Sequence, residues 1–462
     1  MCVPIELKNR RALVLGLGAS GMSMARWLDA RGALVRVADS RESPPFAARL
    51  REELPKVELH VGEFQPKSFM DIDLVAISPG VPMAQTLVRA AAQRGLDIVG
   101  DVELFARTRQ EFPGTRVIAI TGSNGKSTVT EMVGAMVRKS KIRTLVAGNI
   151  GLPILEALTE INAGKRRRPD VFVLELSSFQ LESTSSLDPD AAAVLNLSED
   201  HLDRYAGMKE YAEAKSRIFF GDGVQVVNRQ DERAHAMARL GRKVFTFGLD
   251  EPWAEGNWGL RTIDGERWLA EGRANLMMAS ELKVAGLHNA ANALAALALC
   301  RAIGLAYEPL LDALYGFEGL EHRLQKIAEV GGVSFYDDSK GTNVGATVAA
   351  LMGMTAKVVL IAGGEGKSQD FSPLHDAVAK KAKGVILIGR DANKIEDAIK
   401  TSGTTIIHAA SMRDAVRSAF QISQPGDAVM LSPACASFDM FRDYRHRAEV
   451  FVDEVSALEA QP

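Results

Sequence analysis

Residues 116–128 constrain this chain more than any other stretch. The apolar run Arg116–Ile120 feeds directly into Thr121-Gly-Ser-Asn-Gly-Lys-Ser-Thr128, and a helical pattern follows. A glycine-rich turn between strand and helix points backbone N–H groups at one spot, which the positive helix end also faces. The spot suits phosphate. Lys126 adds a mobile charge for β/γ oxygens, and Ser127 or Thr128 can offer an oxygen to Mg²⁺. Gly122 and Gly125 enclose fewer residues than the usual phosphate loop does. The plain alternative is a βα turn with an exposed lysine.

Strands and helices alternate on both sides of this turn, which implies an α/β chain built on parallel sheets. Upstream, strand Arg11–Leu15 runs into Gly16-Leu-Gly18-Ala-Ser-Gly21 and an amphipathic helix, Met22–Arg31. Strand Ala33–Ala38 ends at Asp39, and Leu74–Ile77 ends at Ser78-Pro79-Gly80. This is a Rossmann-like unit. The central part holds the phosphate loop, strands Thr144–Ala147, Val171–Leu176 and Ala191–Leu197, and short antiparallel strands within about 250–285, then helix His288–Ile303. The third part reads as a second doubly wound, Rossmann-like sheet with strands Val333–Tyr336, Lys357–Ile361, Gly384–Ile388, Thr405–His408 and Ala428–Leu431. The expected domains are 1–109, 110–320 and 321–462, in keeping with a length of 462 residues.

Gly16-x-Gly18-x-x-Gly21 with Asp39 invites a dinucleotide reading, but a helix N-terminus binds any phosphate and a carboxylate any ribose or polar ring edge. NAD, a UDP-sugar and a structural turn all stay open here. Glu175 ends an apolar strand where ligands bind in open α/β sheets, and His201 sits in a similar loop. Both are candidate Mg²⁺ ligands. Lys215 reads locally as a solvated helical lysine; as a neutral amine it could add CO₂ and become an anionic oxygen ligand. Lys340, Lys367 and Ser437 lie in loops after third-part strands, at one sheet edge, and suit a small polyanionic substrate. Cys435 reads as structural, and the run Lys165–Arg168 as a solvated loop.

Lys and Arg number 55 against 58 Asp and Glu, so no global basic field favours nucleic acid. Cys2, Cys300 and Cys435 cannot build a disulfide framework, which fits the cytoplasm. Met1–Arg11 is polar, without the apolar core of a signal peptide, and no stretch suits a membrane span. An NAD(P)-dependent dehydrogenase would explain residues 16–39 but leave the phosphate loop and second sheet idle. A nucleotide sensor would need a missing lysine or carboxylate, and none is missing.

In this order, TGSNGKST, ELSSFQLE, NLSEDHLDRY, HNAANALAA and EHRLQK resemble the Mur ligases, ADP-forming amide ligases of peptidoglycan precursor synthesis. GLGASG, ISPGVP, AGNIG, YDDSKGTN, AGGEGKSQDFSPL and LSPACASFDMFRDYRHR resemble the branch that joins D-glutamate to UDP-N-acetylmuramoyl-L-alanine. The resemblance spans about residues 10–452. It implies ATP and Mg²⁺ as cofactors, these small molecules as the only partners, and a monomer. Gly122, Ser123, Asn124, Gly125, Lys126, Ser127 and Thr128 would hold ATP, with Asn292 at the adenine and Arg323 and Asp338 facing it from the third part. Ser127, Glu175, His201 and a carbamylated Lys215 would bind Mg²⁺; Lys126, His201 and Lys215 would be catalytic. The UDP-sugar would lie over Ser20, Gly21, Asp39, Arg41 and Gly80, with Asn149 at the muramoyl-peptide end. D-Glutamate would meet Lys340, Thr342, Lys367, Ser437, Tyr444 and, through its backbone, Phe438. Shielding an acyl phosphate from water implies closure of the third part over the second, with a hinge near Gly319–Glu321.

Overall fold

The structure is a computed structural model describing residues 6–284 and 286–459. Cys2 and Met1–Ile5 of the polar N-terminal segment lie outside the described residues. Three sheets carry the chain. The first holds β1 (Arg11–Leu15), β2 (Leu34–Asp39), β3 (Glu58–Val61), β4 (Leu74–Ile77) and β5 (Asp97–Val99), all parallel, in the order β3-β2-β1-β4-β5. The second holds β6 (Arg116–Thr121), β7 (Thr144–Gly148), β8 (Val171–Glu175), β9 (Ala191–Val194), β10 (Val224–Asn228), β11 (Val244–Phe247), β12 (Asn257–Ile263), β13 (Glu266–Glu271) and β14 (Ala274–Met278). Their order is β14-β13-β12-β11-β10-β9-β6-β8-β7. The expected antiparallel strands are β12–β14, and they extend the parallel sheet through the β11–β12 pair. The third holds β15 (Gln325–Val330), β16 (Val333–Asp337), β17 (Val358–Gly363), β18 (Ala382–Ile388), β19 (Thr405–His408) and β20 (Ala428–Leu431), in the order β15-β16-β20-β17-β18-β19.

Strands buried on both faces read as unbroken apolar runs, and β6, β8 and β17 show this. β3 and β15 gave no such signal because each is a half-exposed edge strand. The first helix begins at Ala19, not Met22, because the turn after β1 closes tightly. Gly16 has φ +84°, and a Cβ on Gly21 would lie 1.8 Å from the Gly16 carbonyl oxygen. Only glycine fits there.

The first and second sheets share one apolar core, running from Val14 and Met24 to Leu155 and Leu174. Arg26 ties the two parts by reaching Glu53 and, at 2.8 Å, Glu156. Glu103 accepts from the Ser185 and Ser186 backbone at 2.7 and 2.9 Å. The third part has its own cores. Near the phosphate loop it meets the second part through polar contacts, and the connecting segment carries positive φ at Gly319, His322 and Leu324. One expectation for the loop after helix Ile154–Asn162 is corrected. Arg168 is not merely solvated: it donates to the Pro113 carbonyl at 2.6 Å and lies over the Phe112 ring.

Candidate active site

The phosphate loop is pinned before any ligand arrives. Gly125 adopts φ +82°, and a Cβ there would sit 2.5 Å from Asn292 Oδ1. Asn124 N–H donates to Asn196 Oδ1 at 2.8 Å, and Asn196 Nδ2 returns a bond to the Asn124 carbonyl at 3.0 Å. A cavity of about 360 Å³ opens beside this loop, between the second and third parts. Asn124, Gly125, Thr128, Asn292, Arg323 and Asp338 all line it, as does Lys340. Ser123 is buried, with its hydroxyl on the Ser198 carbonyl at 2.9 Å. Ser127 Oγ accepts from Arg323 Nη2 at 2.9 Å across the two parts. Lys126 Nζ folds back onto the Gly122 and Ser123 carbonyls at 2.9 and 2.8 Å. Burial lowers its pKa, against the pull of Glu175 and Asp200. Burial raises the Asp338 carboxyl to about 7 although Ser432 donates to it.

A second cavity, of about 600 Å³, lies between the first and second parts. Ser20, Asp39, Arg41, Gly80 and Asn149 line it; Gly21 does not, because it packs against Gly16. Burial alone would raise the Asp39 carboxyl, but hydrogen bonds from Arg41 and from the Leu17 and Arg41 backbone hold it at about 2.

Glu175 lies beside a wall of the second cavity and acts on the phosphate-loop lysine. Asn149, a wall of the second cavity, donates to Glu175 Oε1 at 2.8 Å. Its Oε2 is buried and has no hydrogen-bond partner. Lys215, 1% exposed, donates to the Gly122 carbonyl at 2.8 Å. Burial, with Lys126 adding to it, lowers its pKa well below the usual amine value. His201 adopts φ +57° and packs on Phe179, ring centres 4.6 Å apart. Burial brings its pKa down to about 4.

The residues expected at the amino acid lie on loops after β16, β17 and β20, which are neighbours in the third sheet, except Tyr444, which opens the last helix. Lys340 Nζ stands 3.8 Å from the Tyr444 ring centre. Lys367 reaches Asp200 at 3.3 Å. Ser437 is buried and Thr342 half-buried, whereas the Phe438 side chain is 69% exposed. Cys435 is buried and its thiol is pushed up to about 12, so it is no nucleophile.

Family comparisons agree along the chain. Residues 10–100 match the Mur ligase MurD-like N-terminal domain, 120–300 the Mur ligase middle domain, and 322–435 the Mur ligase glutamate ligase domain. A Thiobacillus denitrificans UDP-N-acetylmuramoylalanine--D-glutamate ligase is 57% identical, covering 99% of this chain and 98% of that relative. The Nitrosomonas eutropha protein of the same name is 55% identical, over 98% and 97%. The chain belongs to the Mur ligase family. Solved Mur ligases share its fold: MurF from Acinetobacter baumannii has a TM-score of 0.62 at 20% identity, over 98% of this chain and 92% of that one. MurC from Thermotoga maritima has 0.60 at 19%, over 97% and 99%.

In this Mur ligase, residues that local sequence did not single out also lie at the candidate site. Asp200 is buried, bonded to Lys367 and beside Asn343. Asn343 Nδ2 donates to Asn124 Oδ1 at 2.9 Å, joining the third part to the phosphate loop. His288 and Asn289 line the nucleotide-sized cavity. NLSEDHLDRY, HNAANALAA and YDDSKGTN contain all four residues, but only the packing between parts shows what Asp200 and Asn343 meet.

Among the described residues, no group of three or more His, Cys, Asp and Glu side chains could hold a metal ion. The unpartnered Glu175 oxygen still fits a Mg²⁺ ligand, because a buried bare carboxylate oxygen calls for a cation or donor. A carbamate on Lys215 would add the missing oxygen anion.

The His201 shift has a stability consequence. Its folded pKa lies below the unfolded value of about 6.5, so the unfolded chain binds more protons between that value and about 4. Stability therefore falls as pH drops through this window. Thermal unfolding between pH 7 and 4.5 will show a lower Tm on the acid side, and His201→Asn will flatten the trend. An unchanged slope in that variant would contradict a neutral His201.

Proposed function

We propose that this enzyme joins D-glutamate to UDP-N-acetylmuramoyl-L-alanine at the cost of ATP, giving ADP and phosphate in peptidoglycan precursor synthesis. Its names for parts follow: 1–109 holds the UDP-sugar, 110–320 ATP, and 321–462 the amino acid. The observation that carries the reading is the place of Glu175. It is bonded to a wall of the 600 Å³ cavity and acts on the lysine of the other cavity's phosphate loop. The relatives' names supply the two substrates.

The substrate's terminal carboxylate oxygen attacks the γ-phosphorus, and the bond to the β-phosphate breaks. ADP leaves and an acyl phosphate remains. Two anions meet in this step, so Lys126 leaves the Gly122 and Ser123 carbonyls to neutralise the γ-phosphate. Ser127, Glu175, His201 and carbamylated Lys215 would hold Mg²⁺, which when bound supplies positive charge to the phosphate oxygens. The carbamate forms when the neutral Lys215 amine adds to CO₂ and loses a proton; burial lowers its pKa and so favours that neutral form. Lys340, Thr342, Lys367, Ser437, Tyr444 and the Phe438 backbone hold D-glutamate. Its amine attacks the acyl carbon, phosphate departs, and the ammonium proton passes to His201 or Asp200. Asn292, Arg323 and Asp338 seat the nucleotide, and rotation near Gly319–Glu321 admits and shields it. The enzyme works as a cytoplasmic monomer serving cell shape and division. Among the described residues no helix is long and apolar enough to cross a membrane.

The test is ATP-dependent phosphate release with UDP-N-acetylmuramoyl-L-alanine, offered D-glutamate, L-glutamate, L-lysine or no amino acid. Release with D-glutamate alone is expected. Release only with another acceptor would move the activity to a sister ligase, and silence throughout would refute the reading.

A further inference from the structure

Arg204 follows His201 in the same loop, and the mechanism above gives it no task. Its side chain is only 10% exposed. One guanidinium nitrogen donates to the Pro79 carbonyl at 2.7 Å. The other donates to the Val81 carbonyl at 3.3 Å and to Glu182 Oε2 at 2.7 Å. Its flat face lies 4.2 Å from the Phe179 ring centre, and Phe179 packs in turn on His201. Pro79, Gly80 and Val81 form one wall of the 600 Å³ cavity. A single buried cation thus touches both a wall of the substrate cavity and the aromatic ring that backs His201.

Docking of the two parts does not need this cation. They already share an apolar core, the Arg26 clamp and the Glu103 bonds. Arg204 instead acts on the 79–81 segment itself, flanking Gly80 with bonds to the carbonyls on either side. At one end Val81 packs on the first-part core and its N–H donates to the Ser78 carbonyl at 2.9 Å, which leaves the Pro79 and Val81 carbonyls to Arg204. Between them, a Cβ on Gly80 would meet nothing within 4 Å, so packing does not fix Gly80 itself. Arginine suits the task because its planar fork serves three acceptors while its face stacks on a ring; lysine does neither together.

We infer that Arg204 is a positioning residue: it sets the 79–81 wall for the UDP-sugar and, through Phe179, the ring of His201. The inference rests on the proposed function and adds two separable effects to it. Arg204→Lys keeps a charge beside Glu182 but loses the fork. It should weaken UDP-N-acetylmuramoyl-L-alanine binding, measured calorimetrically without ATP, by about tenfold or more. Affinity for a non-hydrolysed ATP analogue should not change. Phe179→Leu keeps the bonds to the wall but loses the stack. It should leave UDP-sugar affinity as in the wild type, while kcat falls and the Mg²⁺ concentration needed for half-maximal rate rises.

Wild-type affinity in Arg204→Lys would overturn the inference. So would equal loss of UDP-sugar and ATP-analogue affinity with a fallen Tm, which marks a merely structural role. Loss of UDP-sugar affinity in Phe179→Leu as large as in Arg204→Lys would overturn the separation of the two effects. Failure of the wild type to bind the UDP-sugar would strike the proposed function instead.

Discussion

Lys126→Ala will lower ATP-dependent phosphate release by about a thousandfold or more, the loss expected when a preorganised charge is removed from a transferring phosphoryl group. The same change will cost little stability. Among the described residues Lys126 Nζ bonds only to the Gly122 and Ser123 carbonyls, and Lys215 still serves the first of these. Removing a desolvated cation also relieves a burial cost. Thermal unfolding should therefore shift by no more than about 4 °C, while single-turnover phosphate release disappears. A large drop in Tm with residual activity would give Lys126 a structural task instead.

Lys215→Ala will be inactive for a different reason. The amine is buried against Tyr211, 4.7 Å from its ring centre, and burial lowers its pKa, which favours the uncharged form. A neutral amine there can add CO₂, and a carbamate would complete a metal site that, among the described residues, lacks a third anionic or imidazole side chain. Deleting the side chain leaves room beside Thr121 and Gly122, its present partners. A short carboxylic acid should enter that space and restore part of the rate. The variant will also lose some stability through the void it leaves. Full activity of Lys215→Ala, without added acid, would end the carbamate account.

The parts of this site that could be read from sequence are those whose chemistry is local. The phosphate loop is contiguous, and its strand and helix are its immediate neighbours. Glu175 was visible because an apolar strand cannot end on a carboxylate without purpose at a sheet edge. Asp200, Asn343 and Arg204 were hidden for the opposite reason. Each gains its meaning from a partner far along the chain: Lys367, Asn124 and the Pro79–Val81 segment. The family resemblance places Gly21 at the UDP-sugar, whereas its missing Cβ serves the approach of helix and turn. Edge strands β3 and β15 escaped because half-exposed strands mix polar and apolar residues without a buried run. Arg168 looked solvated inside a basic run, yet the Phe112 ring and the Pro113 carbonyl claim it.

The central claim is that the substrate's own carboxylate oxygen is activated as an acyl phosphate near Glu175, which is bonded to Asn149 and acts on Lys126. Oxygen-18 in the terminal carboxylate of UDP-N-acetylmuramoyl-L-alanine tests it most directly. After turnover with D-glutamate and unlabelled ATP, mass spectrometry of the released phosphate should find one labelled oxygen for each labelled carboxylate oxygen displaced. Unlabelled phosphate, alongside amide product, would mean that the bond forms by another route and would contradict the account.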